Sequence, residues 1–196
     1  MKKVLFNPFE QFSERPLILF GISVTILLSM TGAFFNARFD GVIDLHFSTP
    51  TFFINTLTDN AINIVILSLA LFTLGKYRNN KTRFVDVFTA SLIARIPYYI
   101  LPFFNWNNTV LVESEKLLKQ FMTVQPGVAP QFETTNMLVL VLFAGFSLLF
   151  LAWFIYLLYQ GYKVATNAKG GIEIVLFGVT ILIAEVFSKI IFYLIN

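Results

Sequence analysis

Three ionisable residues interrupt otherwise apolar stretches of the sequence: Arg95, Glu185 and Lys189. A charge within a hydrocarbon layer costs at least about 2.5 kcal/mol, so it normally faces a partner or a wet cavity. The apolar segments that contain Arg95 and Glu185 begin at about residues 84 and 171, both predicted on the same side of the membrane. At 1.5 Å per helical residue, Arg95 lies about 16 Å and Glu185 about 21 Å from that side. An arginine side chain spans that difference, so the two charges are predicted to meet. Lys189 lies one helical turn beyond Glu185.

Two interpretations of this group stay open. In the first, Arg95 and Glu185 form an ion pair that holds two helices together. In the second, the pair and Lys189 bind an anion or a proton inside the protein. No other carboxylate accompanies Glu185 at this depth, which favours the structural interpretation.

A second cluster of side chains that could bind a metal ion is formed by Asp40, Asp44 and His46. Carboxylate oxygens and an imidazole nitrogen can bind a divalent cation, although protein metal sites generally need three or more ligands in fixed geometry. A polar loop beside lipid headgroups has the same composition. We therefore expect a solvated loop with neither metal nor cofactor.

The elements that position these residues are predicted to be membrane-spanning helices. The 196 residues are 57% hydrophobic and 13% charged, whereas soluble domains are about 45–50% apolar and about 25% charged. About 20 apolar residues cross a bilayer as a helix. Five such segments predict an all-α polytopic bundle in one domain, residues 1–196, with helices at about 16–35, 59–76, 84–104, 136–162 and 171–194.

Two further features concern the third segment and the loop that follows it. Pro97 and Pro102 predict a bend in the outer half of the third helix. In the loop 105–135, apolar residues recur at helical spacing beside charged ones, which predicts a short amphipathic helix on the outer surface, ended at Gln125–Gly127.

The positions of Lys and Arg predict the orientation, because cytoplasmic segments are enriched in them. With a cytoplasmic N-terminus, nine lie on the inside and three on the outside. The basic residues 2, 3 and 15 then belong to a retained cytoplasmic segment. We expect a multi-pass protein of the inner or plasma membrane, with its N-terminus in the cytoplasm and its C-terminus outside.

Signatures of most enzyme classes are missing from the sequence. It has no cysteine and one histidine, which excludes thiolate zinc sites and HExxH zinc chemistry. Neither a Gly-x-Ser-x-Gly elbow nor a phosphate-binding glycine loop occurs. The net charge of +3 is spread over short loops, so no nucleic-acid partner is expected.

Four segments carry a resemblance to a known family: Asn7–Phe12, Asn36–Gly41, Ser91–Pro97 and Leu158–Asn167. With five predicted spans, this order resembles the Yip-domain family of Ypt-interacting-protein-like membrane proteins, in its prokaryotic branch. The resemblance implies a five-helix fold and an integral-membrane role. The GTPase contact of the eukaryotic relatives is not implied, because their long N-terminal segment and Asp-Leu-Tyr-Gly-Pro-like motif are not found here.

Two functions are compatible with these observations. One is a non-enzymatic, membrane-organising protein whose partners are lipids, further copies of itself or other membrane proteins. The alternative is a transporter or channel for a small solute or ion that uses Arg95, Glu185 and Lys189.

Overall fold

The computed structural model of the protein describes residues 6–123 and 134–195, and the side chains of the second range from residue 137. The helices are α1 Glu14–Phe34, α2 Phe53–Arg78, α3 Phe84–Ala94, α4 Thr109–Thr123, α5 Thr134–Thr166 and α6 Gly171–Ile195. Two 3-10 segments, Pro8–Glu10 and Ile96–Asn108, and two short strands, β1 Ala37–Arg38 and β2 His46–Phe47, complete the described chain.

Five segments of the described chain are long and apolar enough to cross a membrane, which confirms the predicted helical segments. The second begins earlier than predicted, since α2 starts at Phe53 and not near residue 59. The prediction started that helix at the charge of Asp59. In the structure this carboxylate is neutralised by Arg38 at 2.6 Å, so the helix continues through it.

The third segment is α-helical only as far as Ala94. Pro97 has no N–H to donate to the carbonyl of residue 93, and Pro102 removes a second such bond five residues later. The chain continues as the 3-10 segment and leaves helical geometry altogether at residues 105–107. The predicted bend is therefore a change of helix type that begins beside Arg95.

The predicted amphipathic helix in the loop 105–135 corresponds to α4. Val110 and Leu111 in its first turn are buried, whereas Val112, Leu118, Phe121 and Met122 are exposed. The helix is thus anchored at one end and presents apolar residues along the rest. The predicted break at Gln125–Gly127 lies outside the described residues.

Contacts at the two ends of the helices define the bundle's layout. At one end, here the basic end, α1, α3 and α6 begin and α2 and α5 finish. Arg78 binds Glu173 there at 2.6 Å, and the Asn79 side-chain amide donates to the carbonyl of Thr166 at 2.9 Å. The opposite end, here the loop end, carries the connection between α1 and α2.

The main core lies between α2, α3, α5 and α6. Leu67, Leu71, Phe154 and Leu158 are fully buried in it. Val42, which belongs to none of these helices, is buried in the same cluster. A residue from the connection between α1 and α2 therefore occupies the centre of the bundle.

Candidate functional site

The connection between α1 and α2 folds back into the bundle. β1 and β2 pair antiparallel, Arg38 opposite His46, and close a seven-residue loop, Phe39–Leu45, here the inserted loop. Phe39 and Val42 have no exposed surface. A Cβ on Gly41 would lie 2.8 Å from Oε2 of Glu185 and 2.9 Å from Cβ of Asp44, so a side chain at this position would force the Glu185 carboxylate or the loop to shift.

One peptide bond of the inserted loop is held by two opposite charges. Arg95 donates from Nη1 to the carbonyl oxygen of Val42 at 2.7 Å. Glu185 accepts the N–H of Ile43 through Oε2 at 2.9 Å. These are the two polar groups of a single trans peptide unit, and they point in opposite directions. The cation and the anion therefore lie on either side of it, about 7 Å apart.

Neighbouring backbone groups of the loop also bind side chains of the helices. The N–H of Val42 donates to Oγ of Ser188 at 3.2 Å, and Tyr98 donates its hydroxyl to the carbonyl of Ile43 at 2.8 Å. Asn63 donates its amide to the carbonyl of Phe39 at 2.6 Å. Irregular backbone in an apolar interior requires such partners, because each unpaired group costs several kcal/mol.

Depth can be counted along the helices that supply these partners. Glu185 lies ten residues before Ile195, the end of α6, and Asn63 lies ten residues after Phe53, the start of α2. At 1.5 Å per residue, each lies about 15 Å below the loop end. The inserted loop thus reaches about the middle of the bundle.

Arg95 is fully buried, and no carboxylate contacts it among the residues that the structure describes. Its second polar contact is a 3.4 Å hydrogen bond from Nη2 to Oδ1 of Asn60. The guanidinium carbon lies between 5.7 and 5.9 Å from four ring centroids, those of Phe39, Tyr98, Tyr99 and Phe154. The faces of these rings stabilise a cation that has little contact with anions.

The ion-pair prediction expected direct contact between Arg95 and Glu185. The structure does not place them in contact. Instead, both bind the inserted loop, and one peptide bond separates them. Lys189 binds neither of them. Its ammonium group contacts Asp44 and lies 3.1 Å from Oδ2 of Asp40, at the rim of the loop.

The rim also contains His46, the histidine of the cluster that was expected to be a solvated loop without metal. Nδ1 of His46 lies 2.9 Å from Oδ1 of Asp40. Burial raises the pKa of the Asp40 carboxyl, but its bonds to His46 and Lys189 outweigh this effect and lower that pKa from 3.8 to about 2. In residues 6–123 and 134–195, no three His, Asp or Glu side chains are grouped as metal ligands.

Several residues that hold the loop were not assigned to it from the sequence. Asn60 and Asn63 lie one turn apart on α2, where such side chains usually bond between helices, and Asn60 does donate to Ser29 of α1 at 2.9 Å. Asn63 binds the loop instead. Thr89, Ser91 and Thr180 bond to carbonyls of their own helices. The sequence did contain one signal that polar groups bind at this face of α2, namely the grouping of Asp59, Asn60 and Asn63 on one face of an apolar helix.

The helix side chains inside this site bind the backbone of the inserted loop. Arg95, Glu185 and Ser188 bind groups of the same chain. A cavity of about 660 Å³ lies outside the site, lined by Arg38, Asp40, His46 and Lys189. No protein-family model matches the chain, and neither a curated protein nor a solved structure shows significant similarity to it.

Proposed function

We propose that the protein spans the cell membrane five times, with its N-terminus in the cytoplasm and its C-terminus outside. The five apolar helices support the number of spans. The nine-to-three distribution of Lys and Arg supports the orientation, because the basic end carries the larger share. The amphipathic helix α4 would then lie at the outer surface with its exposed apolar residues in the interface.

Within that membrane, the proposed function is that of a non-enzymatic, membrane-organising protein of Yip-like type, which interacts with lipids and other membrane proteins. The observation that carries this proposal is the use of the interior charges. Arg95 and Glu185 bind the chain's own loop, and Lys189 binds its rim. These three charged groups are thus bound to the protein's own chain and not to a passing solute.

The outward faces of α5 and α6 support the same proposal. Only 6% of the most apolar stretch of α5 and 22% of that of α6 are buried within the protein. Leu148 on α5 and Val175 on α6 are 68% and 60% exposed. In a bilayer these faces contact lipid or another membrane protein.

The four segments that carry the family resemblance meet in two pairs. A Cβ on Gly161 would lie 3.0 Å from the Phe9 ring, so Asn7–Phe12 and Leu158–Asn167 touch at the basic end. Phe39 lies 5.9 Å from the Arg95 guanidinium, so Asn36–Gly41 and Ser91–Pro97 touch at the inserted loop.

A photo-crosslinking experiment in cells tests the proposed function. A photoreactive residue at Leu148 or Val175 should crosslink to lipids and to other membrane proteins. The same residue at the fully buried Leu158 is the matched control and should give only crosslinks within the chain.

Flux into proteoliposomes tests the transporter alternative. Potassium, protons, chloride and phosphate should enter no faster than into empty vesicles. A saturable flux that is lost in a stably folded Arg95→Gln variant would overturn the proposal in favour of transport.

A further inference from the structure

An apolar groove of about 430 Å³ lies on the side of the bundle, between α1, the junction of α3 with the 3-10 segment, and α5. Its wall includes Leu17, Phe20, Ile93, Pro97, Trp153 and Leu157. Phe20 is 57% exposed, so the groove is open at its side. The prolines in the wall have no N–H, and the surface offers almost no hydrogen-bond donor to a ligand.

The groove continues into a polar cavity of about 490 Å³ at the basic end. Both are lined by Phe12 and Leu17, and the polar part adds Ser13, Glu14, Arg15, Asp86 and Thr89. Ile93 lies nine residues beyond the start of α3, which places the apolar part about 14 Å from the basic end. Polarity thus falls with depth, as it does along a phospholipid.

The charged side chains at the polar cavity differ in whether they form ion pairs. Arg83 binds both carboxylates, Glu14 through Nη2 and Asp86 with Nη2 at 2.6 Å from Oδ1. Arg15 makes no ion pair within residues 6–123 and 134–195. Among the described residues, Arg15 is therefore the cation at the cavity mouth that no carboxylate contacts, in a position where its guanidinium can bind a phosphate.

We propose that this groove binds an anionic phospholipid, with one acyl chain against Leu17, Ile93 and Trp153 and its phosphate beside Arg15. The inference rests on the proposed lipid-interacting function and names the ligand class. The apolar wall selects for a hydrocarbon chain. The unpaired arginine distinguishes an anionic headgroup from a zwitterionic one, whose own cation would weaken the attraction.

Trp153 reports occupancy of the groove directly. The chain has two tryptophans, and Trp106→Phe leaves Trp153 as the only one. In detergent micelles, phosphatidylglycerol with a dibrominated acyl chain should quench its fluorescence saturably, at about one lipid per protein. Brominated phosphatidylcholine should require a higher mole fraction for the same quenching.

Two substitutions separate headgroup from chain recognition. Arg15→Gln should weaken the phosphatidylglycerol effect about fivefold, the weight of one basic residue at a membrane surface, and leave phosphatidylcholine unchanged. Ile96→Phe, at a half-buried position of the wall, should reduce quenching by both lipids. Lys163→Gln removes an exposed charge at the same end and should change neither.

Quenching that is unsaturable, equal for both lipids and indifferent to Arg15→Gln would show ordinary surrounding lipid only and would overturn the proposal. Protection of Trp153 that grows with protein concentration, together with a dimer in light scattering, would assign the groove to a second copy and also overturn it. The assay does not depend on transport. A saturable flux would refute the proposed function while leaving specific quenching intact.

Discussion

Removing the charge of Glu185 while keeping its shape tests whether Arg95 and Glu185 act on each other through the Val42–Ile43 peptide. Glu185→Gln retains an oxygen that can accept the N–H of Ile43. With the charges about 7 Å apart and an effective dielectric constant of about 20, their attraction is about 2 kcal/mol. Glu185→Gln should therefore lower the free energy of unfolding by about 2 kcal/mol.

Arg95→Leu should be more costly, because it also removes the hydrogen bond to the carbonyl of Val42. A hydrogen bond from a charged group contributes about 2 kcal/mol, so the expected loss is about 4 kcal/mol in total. In the Arg95→Leu background, Glu185→Gln should cost nothing or should stabilise, because it removes a buried anion that has lost its counter-charge.

Unfolding by SDS in mixed micelles, followed by tryptophan fluorescence, measures these free energies. Glu173→Gln in place of Glu185→Gln is the control, since residue 173 lies twelve residues away on α6, about 18 Å, and its effect should add to that of Arg95→Leu. If the losses from Arg95→Leu and Glu185→Gln also add within about 0.5 kcal/mol, the two charges are not coupled and the reasoning fails.

Three other predictions follow from the structure. Gly41→Ala should destabilise the protein by about 2 kcal/mol, because the new methyl group would overlap the carboxylate opposite. Gly178→Ala, where no atom lies within 4 Å, should be neutral or stabilising in the same SDS titration, and equal losses would contradict the packing argument. The pKa of Asp40 is lowered to about 2, so its contribution to stability is present above about pH 4 and should be lost as the pH falls from about 4 to about 2. Melting curves of the parent and Asp40→Asn should converge over that range, and a constant difference would argue against the shift. Single cysteines at Asn80 and Glu115, both exposed, should react with an impermeant thiol reagent from opposite sides of intact cells, and labelling of both from one side would refute five spans.

The helices could be predicted because their signal is distributed over many residues. The stretch between Arg15 and Arg38 has no charged residue, and a run of that length has few structures other than a membrane-length helix. The bend in the third segment was predictable for a local reason as well, since a proline removes a hydrogen bond wherever it stands. In both cases nothing distant in the chain had to be known.

The inserted loop could not be predicted in the same way. Its key partner is the peptide between Val42 and Ile43, and a backbone peptide is chemically alike at almost every position of a sequence. The prediction paired Arg95 with Glu185 because side-chain charges are visible in the sequence and backbone groups are not. Gly41, between two aspartates, was a usable clue to close packing, but its partner lies 144 residues later on another helix.

The inserted loop also determines when the fold can be completed during synthesis. Its contacts to Glu185 and Ser188 join residues 142 and 146 positions apart. At about 5–20 residues per second, α6 emerges roughly 7–30 s after the loop. Throughout that interval the inserted loop lacks the carboxylate of Glu185 and the hydroxyl of Ser188. The inserted loop is therefore fully bound only once α6 has packed against it. A chain truncated before α6 would leave the N–H groups of Val42 and Ile43 without Ser188 and Glu185 as partners.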